Sequence, residues 1–294
     1  MLVVQTRKEL AGTRLASSLV FAHGVWLNVV VRDGLVLDTR FAPAARGAPR
    51  PGRCFLLLHR GRVTFPGLVT FEGPCAIAMT EEDLEGAHGR RPRTYRSEGS
   101  PYAAVELHVR GEDAHLSNAD DAPRPVPLED DVWDAVARVL EDDAPTEARL
   151  LATIPAMLDA LARAGVVSRN VPQAASSPLP FERLLRAVRP IAERFAVSAT
   201  MSDLETLARV SNRQLDRYLR HFFATYPLVG GGFRASTVHL RLKLAVLFLS
   251  AEGTTVTEVV RAVGYGSTAA LARAFRDAGL PPPGDVQEAL QARP

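Results

Sequence analysis

A ten-residue pattern occurs twice in the last third of the chain, as SNRQLDRYLR at 211–220 and STAALARAFR at 267–276. Both copies read Ser-x-x-x-Leu-x-Arg-x-[Leu/Phe]-Arg, and they lie 56 residues apart. Wound on an α-helix at about 100° per residue, the Leu and the second apolar position fall within about 40° of each other, and Phe222 joins them in the first copy. The opposite side carries Arg213, Asp216, Arg217 and Arg220 in the first copy, and Ala269, Ala272, Arg273 and Arg276 in the second. Each helix is therefore anchored on one face and shows arginine on the other. Ser211 and Ser267 stand where N-caps belong. A short helical segment precedes each copy across a tight turn, DLETLARVS before the first and EVVRAVGYGS before the second. Two helix-turn-helix units follow from this, each with a second helix that suits a major groove, where Arg bonds guanine and Asn or Gln bonds adenine. Residues 235–252 read as one linking helix of about 27 Å. That length is compatible with reading helices in successive major grooves about 34 Å apart. The bland alternative is two ordinary amphipathic helices with solvated arginines.

Charge points the same way. Residues 181–294 carry 15 basic and 10 acidic side chains, whereas the remainder carries 20 and 23. Any polyanion would meet the C-terminal part. With 47% hydrophobic and 23% charged residues in 294, the chain has the composition of a globular protein of about two domains. No apolar run is long enough for a membrane span, so no membrane partner is expected. The start lacks a basic segment followed by an apolar core, so no secretory signal is expected. Two cysteines, Cys54 and Cys75, fit a reducing cytoplasm and read as small apolar residues rather than a redox pair.

From about 25 to 110 the chain reads as short strands broken by turns: WLNVVVR, LVLDT, CFLLLHR, LVTFEG, CAIAMT and YAAVELHVR. Asp33-Gly34 predicts a hairpin between the first two. Short strands at this spacing predict an antiparallel sandwich or barrel. Residues 116–127 and 168–180 read as linkers, and Leu128–Asp143 and Pro145–Gly165 as helices, with Pro155 a kink or restart and Gly165 a cap. Helices are expected at about 181–195, 202–208, 211–225, 235–252, 256–263, 267–278 and 283–291, with Ser202 and Glu205 forming a capping box. The expected class is α+β: a β-rich unit over 1–116, a helical linker or dimerisation segment over 128–167, and an all-α unit with two helix-turn-helix motifs over 181–294.

Residues 181–292 resemble the DNA-binding domain of the AraC/XylS family of bacterial transcription regulators. The resemblance rests on VSNRQLDRYLR, on RLKLAVLFL in the linking helix, on TEVVRAVGYGSTAALARAFR and on the GLPPP behind it. Val-Gly-Tyr, Ser267, Leu271, Arg273 and Phe275 keep the family's order and spacing. The chain departs from the family's pattern at Glu205, Arg209 and Leu219, and in YPLVGGGFRAS. By position, the resemblance implies base contacts from Arg213, Gln214, Asp216, Arg217, Thr268, Ala269 and Arg273, and phosphate contacts from Ser211, Arg220, Ser267 and Arg276. Pairing with a neighbouring Arg stays open for Asp216. The resemblance also implies a cupin-like sensing unit in front. Double-stranded DNA, a second copy of the chain, a small-molecule effector and RNA polymerase are the partners it suggests.

Glu106, His108 and Arg110 alternate along one strand and either line a ligand pocket or form a solvated face. The seven histidines show no HxH, HExxH or Cys/His cluster, so no metal and no cofactor are expected. GGG at 230–232 lacks the Gly-Lys-Ser/Thr of a phosphate loop and reads as a flexible connection. The expected function is a DNA-binding regulator and not an enzyme. Its rivals are a degenerate reader that binds a protein partner and a cupin-like enzyme with a helical appendage.

Overall fold

The computed structural model describes residues 2–22, 25–43, 52–80, 93–97, 100–110, 114, 123–142, 145–168, 201–225 and 233–292. Their first part is antiparallel β structure: β1 (Leu2–Leu10), β2 (Thr13–Ala22), β3 (Val25–Asp33), β4 (Leu37–Asp38), β5 (Gly52–Arg60), β6 (Arg62–Phe65), β7 (Val69–Glu72), β8 (Cys75–Thr80), β9 (Thr94–Arg96), β10 (Tyr102–Arg110) and β11 (Arg124–Val126). They form a seven-stranded sheet in the order β1-β2-β3-β10-β5-β8-β11 and a four-stranded sheet in the order β4-β9-β6-β7.

Alternation decides what each face meets. Tyr102 and Ala104 of β10 pack with Leu56, Leu58, Phe65 and Tyr95 between the two sheets. Ala103, Val105, Leu107 and Val109 of the same strand pack outward on α1 (Asp130–Leu140) and α2 (Glu147–Arg163), against Val136, Leu150 and Ile154. The large sheet is covered on both sides, which is why CFLLLHR is apolar without alternation.

The second part is helical: α3 (Met201–Ala208), α4 (Asn212–Thr225), α5 (Phe233–Leu249), α6 (Val256–Ala262), α7 (Thr268–Asp277) and α8 (Pro283–Gln291). From Leu242 to Leu249 every residue of α5 except Lys243 is buried, and Val259, Leu271, Phe275 and Val286 belong to the same core. An apolar helix of this kind serves as the centre round which shorter helices pack. Gln291 of α8 donates to the carbonyls of Ala251 (2.7 Å) and Leu249 (3.3 Å), satisfying the end of α5.

The structure corrects several expectations. Residues 2–22, not read as strands, form β1 and β2, joined by Ala11 (φ +49) and Gly12 (φ +76). Positive φ at both central residues is the twist-matched two-residue hairpin, reached here without the usual Asn-Gly signal. Gly34 turns the chain as expected (φ +65), but β3 and β4 form no hairpin. β3 pairs with β2 and β10, and the chain crosses to the other sheet. The expected linker 116–127 holds β11, paired with β8. Helix α2 runs through Pro155 without a restart, and Gly165 caps it with φ +73. Ser202 is no N-cap: its carbonyl accepts from Thr206 Oγ1 at 3.0 Å inside α3. The expected helix 181–195, the linker 168–180 and GGG at 230–232 lie outside the described residues, the first residue of that linker, Ser168, excepted.

Candidate functional site

Thr255 begins the α6–α7 pair with a capping box. Its N–H and hydroxyl both donate to Glu258 Oε2 at 2.8 Å, and Glu258 N–H returns a bond to Thr255 Oγ1 at 3.3 Å. These bonds, the backbone one first, hold the Glu258 carboxyl below its usual range. After α6, Gly264 takes φ +74 and Tyr265 N–H bonds Val260 O at 2.9 Å, closing a Schellman turn. Arg241 of α5 clamps that turn. Its guanidinium donates to the carbonyls of Val263 (2.9 Å) and Gly264 and lies 4.4 Å from the centre of the Tyr265 ring. Ser267 then caps α7, accepting from Ala270 N–H at 3.1 Å. Leu271 and Phe275 are buried, while Thr268, Ala269, Ala272, Arg273 and Arg276 are exposed.

The α3–α4 pair repeats the design with one residue fewer in its turn. Arg209 takes the left-handed conformation (φ +54) where the other pair has Gly264, and Val210 N–H bonds Glu205 O at 3.3 Å. Ser211 follows at once. Gln214 Oε1 accepts from Ser211 N–H (3.1 Å) and Oγ (3.2 Å), a second capping box. Leu215, Leu219 and Phe222 are buried, and Arg213, Gln214, Asp216, Arg217 and Arg220 are exposed. Asp216 pairs with Arg220 at 2.6 Å, and Arg217 lies over the Tyr218 ring at 5.5 Å.

Every residue expected to touch DNA therefore lies on the exposed side of α4 or α7 or at its cap. The sequence reading did not foresee that Gln214 caps its own helix, nor did it single out Arg241. A long cationic side chain on the linking helix was visible, but its target, the carbonyls of the α6–α7 turn, needed the fold.

The strand residues part company. His108 is buried and Glu106 half-buried on the face that β10 turns toward the second sheet; Arg110 ends β10, and its side chain lies outside the described residues. Glu106 Oε2 accepts from Asn28 Nδ2 at 2.9 Å, and Asn28 Oδ1 accepts from Ser17 Oγ at 2.8 Å. The His108 ring stacks on Trp26 with centroids 3.5 Å apart, and its Nε2 lies 3.8 Å from Cys54 Sγ. Burial first, then the charges of Lys243 and Arg93, hold this imidazole well below its usual pKa and keep it neutral. Helical residues meet the sandwich at both ends of β3: Phe222 lies 5.3 Å from Phe21, ring to ring, beside Trp26, and Val36 N–H, beyond Asp33, donates to Ser250 Oγ at 2.8 Å. Among the described residues no three His, Cys, Asp or Glu side chains converge as metal ligands.

These elements define a mixed α/β chain: an antiparallel sandwich backed by two helices, then two capped short-helix pairs joined in the chain by a long helix whose second half is buried. No family model and no curated protein matches the sequence. Among solved structures the chain is similar to a DNA-binding transcriptional dual regulator from Escherichia coli K-12, at 20% identity and a TM-score of 0.31, over 41% of this chain and 99% of that one. It is also similar to unsaturated fatty acid-bound ToxT from Vibrio cholerae, at 8% identity and 0.37, over 88% and 95%. A third is the AraC-like transcriptional activator CuxR, at 15% identity and 0.33, over 86% of each chain. No helix of the described residues is long and apolar enough to cross a membrane.

Proposed function

We propose that this chain is a sequence-specific DNA-binding transcription regulator of the AraC/XylS type. One observation carries the reading. Two short-helix pairs stand on either side of a 17-residue helix in the chain, the helix being buried over its second half, and each pair buries the repeated apolar positions while turning the repeated arginines to solvent. At about 26 Å, α5 is of a length to hold α4 and α7 as the reading helices of two helix-turn-helix units.

In this reading residues 181–294 form the DNA-binding unit, with Arg213, Gln214, Asp216, Arg217, Thr268, Ala269 and Arg273 at bases and Ser211, Arg220, Ser267 and Arg276 at phosphates. Residues 1–116 form a cupin-like sensing sandwich. Its effector meets the inner face that carries Glu106 and His108. Residues 128–167 carry the contacts of a cytoplasmic homodimer, and RNA polymerase is the partner beyond DNA. Contact between the sandwich and the helices, at Phe21–Phe222 and Val36–Ser250, supports coupling of the two functions. An effector that changes DNA affinity must have its own affinity changed by DNA to the same factor.

Selection of duplexes from a random DNA pool by the full chain, followed by affinity against salt, tests the reading. An enriched motif with two blocks about one helical turn apart is expected, with affinity falling steeply as salt rises. A pool that stays unenriched at every salt concentration overturns it. The exposed alanines of α7 and the Asp216–Arg220 pair would then favour the second reading, a surface for a protein partner.

A further inference from the structure

Two arginines lie inside the sandwich with no carboxylate paired to them among the described residues. Arg32, on β3 opposite Tyr102 of β10, is 3% exposed, and Arg93, just before β9, is 1% exposed. Both guanidinium carbons lie close to the same ring, 5.4 Å and 5.5 Å from the centre of Tyr95. Arg32 also lies 4.1 Å from the Tyr102 ring, and Arg93 lies 5.8 Å from Phe65 and donates through Nε to Tyr95 Oη. Among the described residues, Arg32 Nε, Arg93 Nη1 and Tyr102 Oη are buried without a hydrogen-bond partner.

Two neighbouring carboxylates among the described residues are committed elsewhere. Asp38 is paired with Arg40 at 2.7 Å, and Glu106 accepts from Asn28. The phenols supply no counter-charge, since burial pushes Tyr95 up to about 12 and Tyr102 well above its usual value. Two buried cations sharing one ring repel each other. Aromatic faces return only part of their lost hydration. All three unsatisfied groups can donate a hydrogen bond, and the two guanidinium groups can do nothing else.

We propose that Arg32, Arg93 and Tyr102 form the binding site for a small oxyanion, the carboxylate or phosphate group of the effector. The proposal rests on the effector-controlled reading above and names the chemistry of its ligand. Guanidinium forks match the planar or tetrahedral oxygens of such a group, and its charge offsets the buried pair. A ligand bound here joins β3 and β10 of the large sheet to β9 of the small one.

The test is thermal unfolding of the full chain in sodium acetate and, separately, in sodium phosphate, against sodium chloride of equal ionic strength. One of the two oxyanions is expected to raise Tm saturably, by about 5 °C at a hundredfold excess over Kd. Arg32→Met and Arg93→Met should each abolish that rise while leaving the anion-free chain at least as stable, because an unpaired buried charge has gone. No rise with either oxyanion in the unsubstituted chain overturns the proposal, and so does a rise that both variants keep. DNA affinity measured with and without the oxyanion separates the two readings. A rise in Tm with unchanged DNA affinity leaves the site standing and removes effector control.

Discussion

Arg213 and Arg276 are both exposed, yet they stand at different ends of their helices. Arg213 lies in the first turn of α4, the end that meets base edges in a groove-bound reading helix, whereas Arg276 lies in the last turn of α7. Under the proposed function, Arg213→Ala costs about 1–3 kcal/mol at the selected sequence and relaxes preference at one base. Arg276→Ala weakens all sequences alike and flattens the salt slope by about one unit. Titrations on matched and scrambled duplexes over a salt series check both, and indistinguishable variants would remove the assignment of roles. The Asp216–Arg220 pair is exposed on both sides, so it orients Arg220 more than it stabilises α4.

At the scale of elements, the two helix pairs solve one geometric problem with different residues. Both preceding helices end in a Schellman turn that needs a left-handed residue. Gly264 takes that conformation freely, while Arg209 takes it at a cost of roughly 1–2 kcal/mol. Arg209→Gly should therefore raise the stability of the chain by about 0.5–1 kcal/mol, the gain being reduced by the extra freedom of glycine in the unfolded state. Urea unfolding midpoints measure it, and a lower midpoint would mean that the Arg209 side chain contributes more than its backbone costs. The α6–α7 turn has a further support in Arg241, which ties it to the central helix and fixes the angle at which α7 leaves.

At the scale of the molecule, two histidines make stability depend on pH. Burial, then the charge of Lys243, lowers His239 to about 3, and burial lowers His108 well below its usual value of 6.5. The unfolded chain takes up these protons below pH 6.5 while the native chain does not. Stability is thus fully present above that pH and declines as pH falls toward 3. His239 contributes a slope of about 1.4 kcal/mol per pH unit over that window, and His108 adds to it in the same direction. Unfolding at pH 7.5 and 5.5 should show the drop, and His239→Gln should shrink it; a chain equally stable at both values would contradict buried, neutral imidazoles.

The repeated Ser, Leu and Arg positions were enough to locate α4 and α7, to cap α7 at Ser267 and to divide each helix into an anchored and an exposed face. Helical periodicity is local, so a ten-residue stretch contains the whole argument. Strand structure offers no such economy. Arg32 meets Tyr102 across 70 residues of chain, and the inward direction of Glu106 and His108 follows from a register that a one-residue slip would reverse. The same holds for Arg241, whose partners lie on another helix, and for β1 and β2, whose hairpin lacks the usual turn residues. By itself the sequence determined where α4 and α7 lie and which of their arginines face outward, because those depend on neighbours one turn away. Tertiary structure alone decided which polar groups were turned into the sandwich and left there unpaired, because burial is set by partners distant in the chain.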